Sequence, residues 1–299
     1  MELGKFGIWQ PAYATTPDMA KRLENLGYTA LWLGGPPPDL AGIADILSAT
    51  DNLVVGSSIY NIYNGDAATV AAAYRRIDQQ FPDRLLLGIG VGHPEQTKGY
   101  GTPMATLRTF LDDLDTHGLA RERRALAALG PKMLEVARDR TGGSLPYLVS
   151  AEHTRRARTV LGPQKLLAPE QKVVLEPDAE RARALARPRI KHPYLGLVNY
   201  RNNLRRLGFT DDDLAGDGSN RLIDALTVYG QPTEIAQGLR AHLDAGADHV
   251  QIQLVSEKSA PHPAIPDVLL QVYDDAAFQS YEILAAALAI TPSTRVPCR

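Results

Sequence analysis

Residues 83–94 read DRLLLGIGVGHP. An apolar run from Leu85 carries glycines at Gly88, Gly90 and Gly92 and ends on His93 and Pro94. A dinucleotide fingerprint would need G-x-G-x-x-G, a helix opening on the last glycine and an acidic residue about 20 positions further on. Here the spacing is G-x-G-x-G, a proline follows, and the next helical pattern begins only near Met104, with Asp112 and Asp113 inside it. The segment is therefore a strand with glycines on alternate residues, which share one face. Residues without a Cβ on that face admit either a flat ligand ring or crowded backbone at a barrel corner.

Outward from this strand, β-type runs alternate with helical patterns almost throughout. Runs at 6–9, 30–33, 53–59, 85–91, 125–129, 146–149, 173–175 and 250–254 make eight strands. Met19, Leu23 and Leu26 share a helix face, opened by Thr16 and Pro17 and stopped by Gly27. Ile235, Leu239 and Leu243 repeat the pattern before Gly246. Parallel strands need helical crossovers, and eight such units favour an α/β fold closed as a single (β/α)8 TIM barrel over an open doubly wound sheet. One domain over 1–299 is expected. Residues 176–249 exceed one crossover, so a helical insertion is expected between strands seven and eight, thickening the wall, making a subunit contact or covering the mouth as a lid.

Composition narrows the partners. With 44% apolar and 22% charged residues, a net charge of -2 and no basic block, nothing points to nucleic acid or an anionic membrane. The only cysteine, Cys298, leaves no disulfide framework. No apolar run reaches the roughly 18 residues a membrane helix needs. The expectation is a soluble, cytoplasmic homodimer that acts on a small-molecule substrate. No H-E-x-x-H, nucleophile elbow or P-loop occurs, so neither a metal site nor acyl or phosphoryl transfer is expected.

Barrel chemistry belongs at the C-terminal ends of strands. That rule selects Trp9 and Gln10, Gly34 and Gly35, then Ser57, Ser58, Tyr60 and Asn61, and finally Gly90, Gly92 and His93. Two strand-to-helix junctions follow: ALGPKM (128–133), with Gly130, Lys132 and Met133, and SAEHTR (150–155), with Ser150, His153 and Thr154. Each is either an anion site at a helix N-terminus or simply a capped helix.

These residues resemble the luciferase-like monooxygenase superfamily, in particular the branch that uses the deazaflavin coenzyme F420. The likeness covers nearly the whole chain, through VVGSSIYNIYNGDAATVAAAYRRID (54–78), DRLLLGIGVGHP (83–94), RRALAALGPKMLEVA (123–137), LPYLVSAEHTRRAR (145–158), LAPEQKVVLEPD (167–178) and GADHVQIQL (246–254). The resemblance implies a cofactor ring at the barrel mouth and a non-proline cis peptide behind it, at Ser58–Ile59 or Ser57–Ser58. It implies that Gly90 and Gly92 lie beside the ring, that His93 stands where some relatives carry a proton-donating acid, and that Gly130, Lys132 and Met133 meet a phosphate. Related alcohol dehydrogenases carry an Asp-His pair after strand two, where this chain has Gly34-Gly35-Pro36-Pro37-Pro38. Alcohol oxidation needs a base at that place. Reduction of an activated double bond is expected instead, with His93, Tyr60 or Tyr63 as proton donor. An FMN-dependent monooxygenase and a non-catalytic cofactor-binding barrel are the alternatives.

Overall fold

The computed structural model describes residues 3–95, 101–262, 265–271 and 274–291. Strands β1 (Phe6–Pro11), β2 (Ala30–Gly34), β3 (Val54–Ser57), β4 (Tyr60–Asn61), β5 (Leu85–Gly90), β6 (Arg124–Leu126), β7 (Gly143–Ser144), β8 (Leu166–Leu167), β9 (Glu170–Val174), β10 (Thr227–Tyr229) and β11 (Val250–Leu254) form one sheet. All its pairings are parallel. An antiparallel pair, β12 (Ser259–His262) and β13 (Ile265–Gln271), stands apart. The helices are α1 (Pro17–Asn25), α2 (Ile43–Ala49), α3 (Ala67–Gln80), α4 (Pro103–Thr116), α5 (Pro131–Arg140), α6 (Ala151–Leu161), α7 (Ala179–Lys191), α8 (Val198–Arg206), α9 (Asn220–Leu226), α10 (Pro232–Asp244) and α11 (Asp275–Leu288).

The sheet closes through residues 166–174. On one side Leu166 and Ala168 donate their N–H groups to the carbonyls of Gly142 and Ser144; on the other Asp248 and Gln251 donate to those of Leu167 and Pro169. β8 and β9 are thus two halves of one stave, and eight staves make the (β/α)8 TIM barrel that the alternation implies. Two strand positions need correction. The sixth stave lies at Gly143–Ser144 rather than 146–149, because Pro146 has no N–H to give a ladder and Leu148 takes a positive φ of 54°. The seventh begins at Leu166, ahead of the expected 173–175. The insertion carries four helices, and also the short strand β10, which pairs with β9.

Helix ends follow local chemistry. Thr16 accepts the Met19 N–H and Pro17 occupies the first turn of α1, an arrangement that satisfies otherwise orphaned donors. Glu24, near the end of α1, accepts the N–H groups of Asp51, Asn52 and Leu53 at 2.6–3.0 Å and so ties that helix to the start of β3. Inside the barrel Trp32, Leu86, Ala125 and Leu145 pack together. Gly88 serves this packing, since a Cβ there would lie 2.0 Å from the Ser57 carbonyl oxygen. A separate apolar cluster holds the insertion against the barrel rim, with Leu195, Leu204, Leu222 and Ile223 packed against Leu148, Val174 and Val255.

Candidate active site

A cavity of about 480 Å³ opens at the C-terminal ends of the strands. Its back wall is the break between β3 and β4, where the Ser58–Ile59 peptide is cis. Ser58 is fixed on both sides: its carbonyl accepts the Trp9 indole N–H at 3.1 Å and its hydroxyl donates to Gln251 at 2.9 Å. Trp9, Gly34, Gly35, Ser58, Ile59, Asn61, Gly90, Gly92 and His93 all line the cavity. The space beside Gly90 is taken by Ile59, whose Cδ1 would lie 2.4 Å from an added Cβ. That glycine therefore admits the bulged strand.

Other expected residues lie elsewhere. Ser57 exchanges hydrogen bonds with the backbone of Gly88 inside the wall. Tyr60 is fully buried and stacked on Phe110, so it is not a donor at this cavity. Side chains alternate across a strand, and in the two-residue β4 it is Asn61 that faces the mouth. Tyr63 also packs toward the helix layer. Gln10 points to Tyr281.

His93 is the only titratable imidazole of the cavity wall among the described residues. Its Nδ1 is buried with no hydrogen-bond partner among them, and its ring lies 5.6 Å from that of Tyr200. Burial pushes its pKa below the ordinary value of 6.5, opposed by the Glu95 charge and the Asn199 side chain. Glu95 also accepts the Val198 N–H at the start of α8, docking the segment after β5 against the insertion.

Sequence reasoning missed an aromatic wall. Tyr147 lies 5.7 Å from Trp9 and 5.3 Å from Tyr194, and Tyr194 lies 4.9 Å from Tyr200, centroid to centroid. Beneath Tyr147 the buried Lys172 ammonium donates to the Tyr147 hydroxyl, Glu170 and Gln253 at 2.9–3.1 Å. Burial lowers the Lys172 pKa against the pull of Glu170, and pushes the Tyr194 phenol up to about 12. A lysine and a glutamate within a buried strand were the available signal, since such groups are rarely buried unpaired.

Of the two strand-to-helix junctions, the first adjoins the cavity, which reaches Ala127 and Leu129, whereas none of residues 150–155 lines it. Gly130 caps α5 with φ at -88° and Ser150 caps α6. Near Gly130 lies the Arg206 guanidinium, 3.4 Å from where a Cβ would stand. Arg206 has no hydrogen-bond or ion-pair partner for this guanidinium among the described residues, and sequence reasoning did not single it out. His153 donates through Nε2 to the Leu129 carbonyl at 2.9 Å, leaving Nδ1 buried and unpartnered among the described residues. Lys132 is exposed, and the Met133 N–H already meets the Gly130 carbonyl. Thr154 is not available to a cofactor: it bonds His242 at 2.8 Å, and His242 bonds Gln171 at 2.7 Å.

No helix among the described residues is long and apolar enough to cross a membrane, and none of their side-chain clusters could hold a metal ion. Residues 3–115 match the family described as luciferase-like monooxygenase. No curated protein matches the sequence. Similar solved structures include an F420-dependent secondary alcohol dehydrogenase in complex with an F420-acetone adduct, at 12% identity and a TM-score of 0.70, covering 96% of this chain and 99% of that one. The coenzyme F420 dependent tetrahydromethanopterin reductase from Methanopyrus kandleri matches at 14% identity and 0.65, covering 96% and 99%. The oxygenating constituent of 3,6-diketocamphane monooxygenase from Pseudomonas putida, in complex with FMN, matches at 15% and 0.67, covering 99% and 100%. Residues 3–115, which hold the first staves, thus match the luciferase-like monooxygenase family in sequence, and the barrel as a whole shares its fold with these enzymes.

Proposed function

We propose that this chain is an F420-dependent oxidoreductase that reduces an activated double bond in a small organic substrate. The carrying observation is the buried Nδ1 of His93, without a partner among the described residues, beside Gly90 and Gly92 in a cavity whose described lining contains no carboxylate. The residues present suit the cofactor. A flat ring fits against the Ser58–Ile59 wall, and a phosphate fits at the N-terminus of α5, which no side chain caps, beside an Arg206 guanidinium that has no partner among the described residues. When bound, the deazaflavin would supply the hydride.

The protein's own groups would do the rest. Ser58, held by Trp9 and Gln251, keeps the wall in place, and Arg206 neutralises the phosphate. His93 in its protonated form gives the proton, and its lowered pKa makes that proton easier to release. Gly34 and Gly35 offer no base after β2, which favours reduction over alcohol oxidation. FMN is the second reading, supported by the FMN-bound neighbour of comparable similarity.

The test is to incubate the purified protein separately with each cofactor, remove excess and record visible absorption. Retained deazaflavin, with Arg206→Ala weakening its affinity about tenfold, is the expected result. Retention of FMN alone would replace the hydride-transfer reading with the oxygenase one, and retention of neither would overturn both.

A further inference from the structure

We propose that the substrate taken at this mouth is an uncharged, planar aromatic molecule. Five rings form a continuous arc around the cavity: Trp9, Tyr147, Tyr194, Tyr200 and His93, each 4.9–5.7 Å from the next. They come from the ends of β1 and β5, the segment after β7, and the insertion around α8. Aromatic faces assembled this way reward a flat ring, since each good ring pair adds stabilisation beyond the area buried.

The electrostatics point the same way. Among the described residues the lining holds no Asp, Glu, Lys or Arg. The cation beneath the arc, Lys172, has its three donors committed to Glu170, Gln253 and Tyr147. A charged ligand would lose its hydration here with only His93 to answer it, an imidazole that burial holds neutral to a lower pH than usual. Asn64 and the amide nitrogen of Asn61, whose oxygen accepts the Tyr63 N–H, offer polar groups instead, suited to a carbonyl or hydroxyl on the rim of a neutral ring.

The inference rests on the reading of this mouth as the reaction site, and its test separates the two. Calorimetric titrations would compare 2-naphthol with 2-naphthoate, which adds a charge, and cyclohexanol, which lacks an aromatic face. Each would be run on protein without cofactor and on protein saturated with whichever cofactor it retains. Saturable binding of 2-naphthol in both states, at least about tenfold tighter than the other two, is expected. Tyr194→Leu and Tyr200→Leu should each weaken it about 3- to 10-fold, with cofactor affinity changed less than about twofold. Equal binding of 2-naphthoate or of cyclohexanol would overturn the proposal. So would loss of 2-naphthol binding on cofactor saturation, since the arc would then hold the cofactor's own ring. The ligand series on the unaltered protein decides even if a Leu variant misfolds. If neither cofactor is retained, the catalytic reading fails while the cofactor-free titrations still decide the ring preference.

Discussion

His93 shows how one position combines local geometry with a distant neighbour. It follows the last glycine of the alternating series, so its place at the mouth is set by β5, yet its burial comes from Tyr200 in the insertion. Burial holds the imidazole neutral to a lower pH than usual. An acid role then requires the reduction rate to fall as pH rises through that lowered pKa. His93→Gln keeps a hydrogen-bonding side chain and cannot titrate. With cofactor saturating, we expect turnover about 100-fold lower and a flat pH profile; a wild-type rate in this variant would reduce His93 to a loop-fixing residue.

Among elements, the joint between α1 and β3 illustrates how a helix positions the wall of the cavity. The Glu24 carboxylate takes N–H groups from Asp51, Asn52 and Leu53 and pairs with Lys21 at 2.9 Å. Charge-assisted bonds of this kind are individually strong, and removing the acceptor strands several partly buried donors. Glu24→Ala should lower unfolding free energy by about 2–3 kcal/mol in urea titrations, and Glu24→Gln should recover part of it. A cost within about 0.5 kcal/mol would mean that water serves these donors equally well.

For the molecule as a whole, two histidines built into the barrel wall couple stability to pH. His242 sits between Thr154 and Gln171. His249 accepts from the Trp32 indole at 2.9 Å and meets the Gly4 carbonyl at 2.6 Å. Burial lowers both to about 4. Above the ordinary value of 6.5 neither state binds a proton there, and the fold keeps its full stability. As pH falls from 6.5 toward 4, the unfolded chain takes up protons that the folded one refuses, so stability is lost. By pH 5 the loss is on the order of 2 kcal/mol per histidine, large against a typical total of about 5–15 kcal/mol. Urea midpoints should therefore drop between pH 7.5 and 5, before carboxylates titrate, and His242→Gln should shrink that drop. A flat midpoint across this range would show that both histidines take up protons as readily in the fold as in the unfolded chain.

What could be read from the residues was whatever depends on near neighbours in the chain. Thr16, Pro17 and Gly27 mark the ends of a helix by chemistry confined to a few positions. The β/α alternation implies the barrel because parallel strands need crossovers, and the placement of Gly34, Ser58, Gly92 and His93 at the mouth follows from strand direction alone. Facing is a different matter. Tyr60 reads as a mouth residue by position, but the break after β3 turns its side chain into the helix layer and gives the mouth to Asn61. The stave at 166–174 was obscured by Pro169 and appears only through its partners on both sides. The aromatic arc could not be seen at all, because Trp9, His93, Tyr147, Tyr194 and Tyr200 share no local pattern. Their meeting is set by barrel closure and by the packing of the insertion on the rim, which act between segments tens to hundreds of residues apart. Local sequence thus determined the staves and the crossovers, while tertiary structure alone decided which side chains face one another across the mouth.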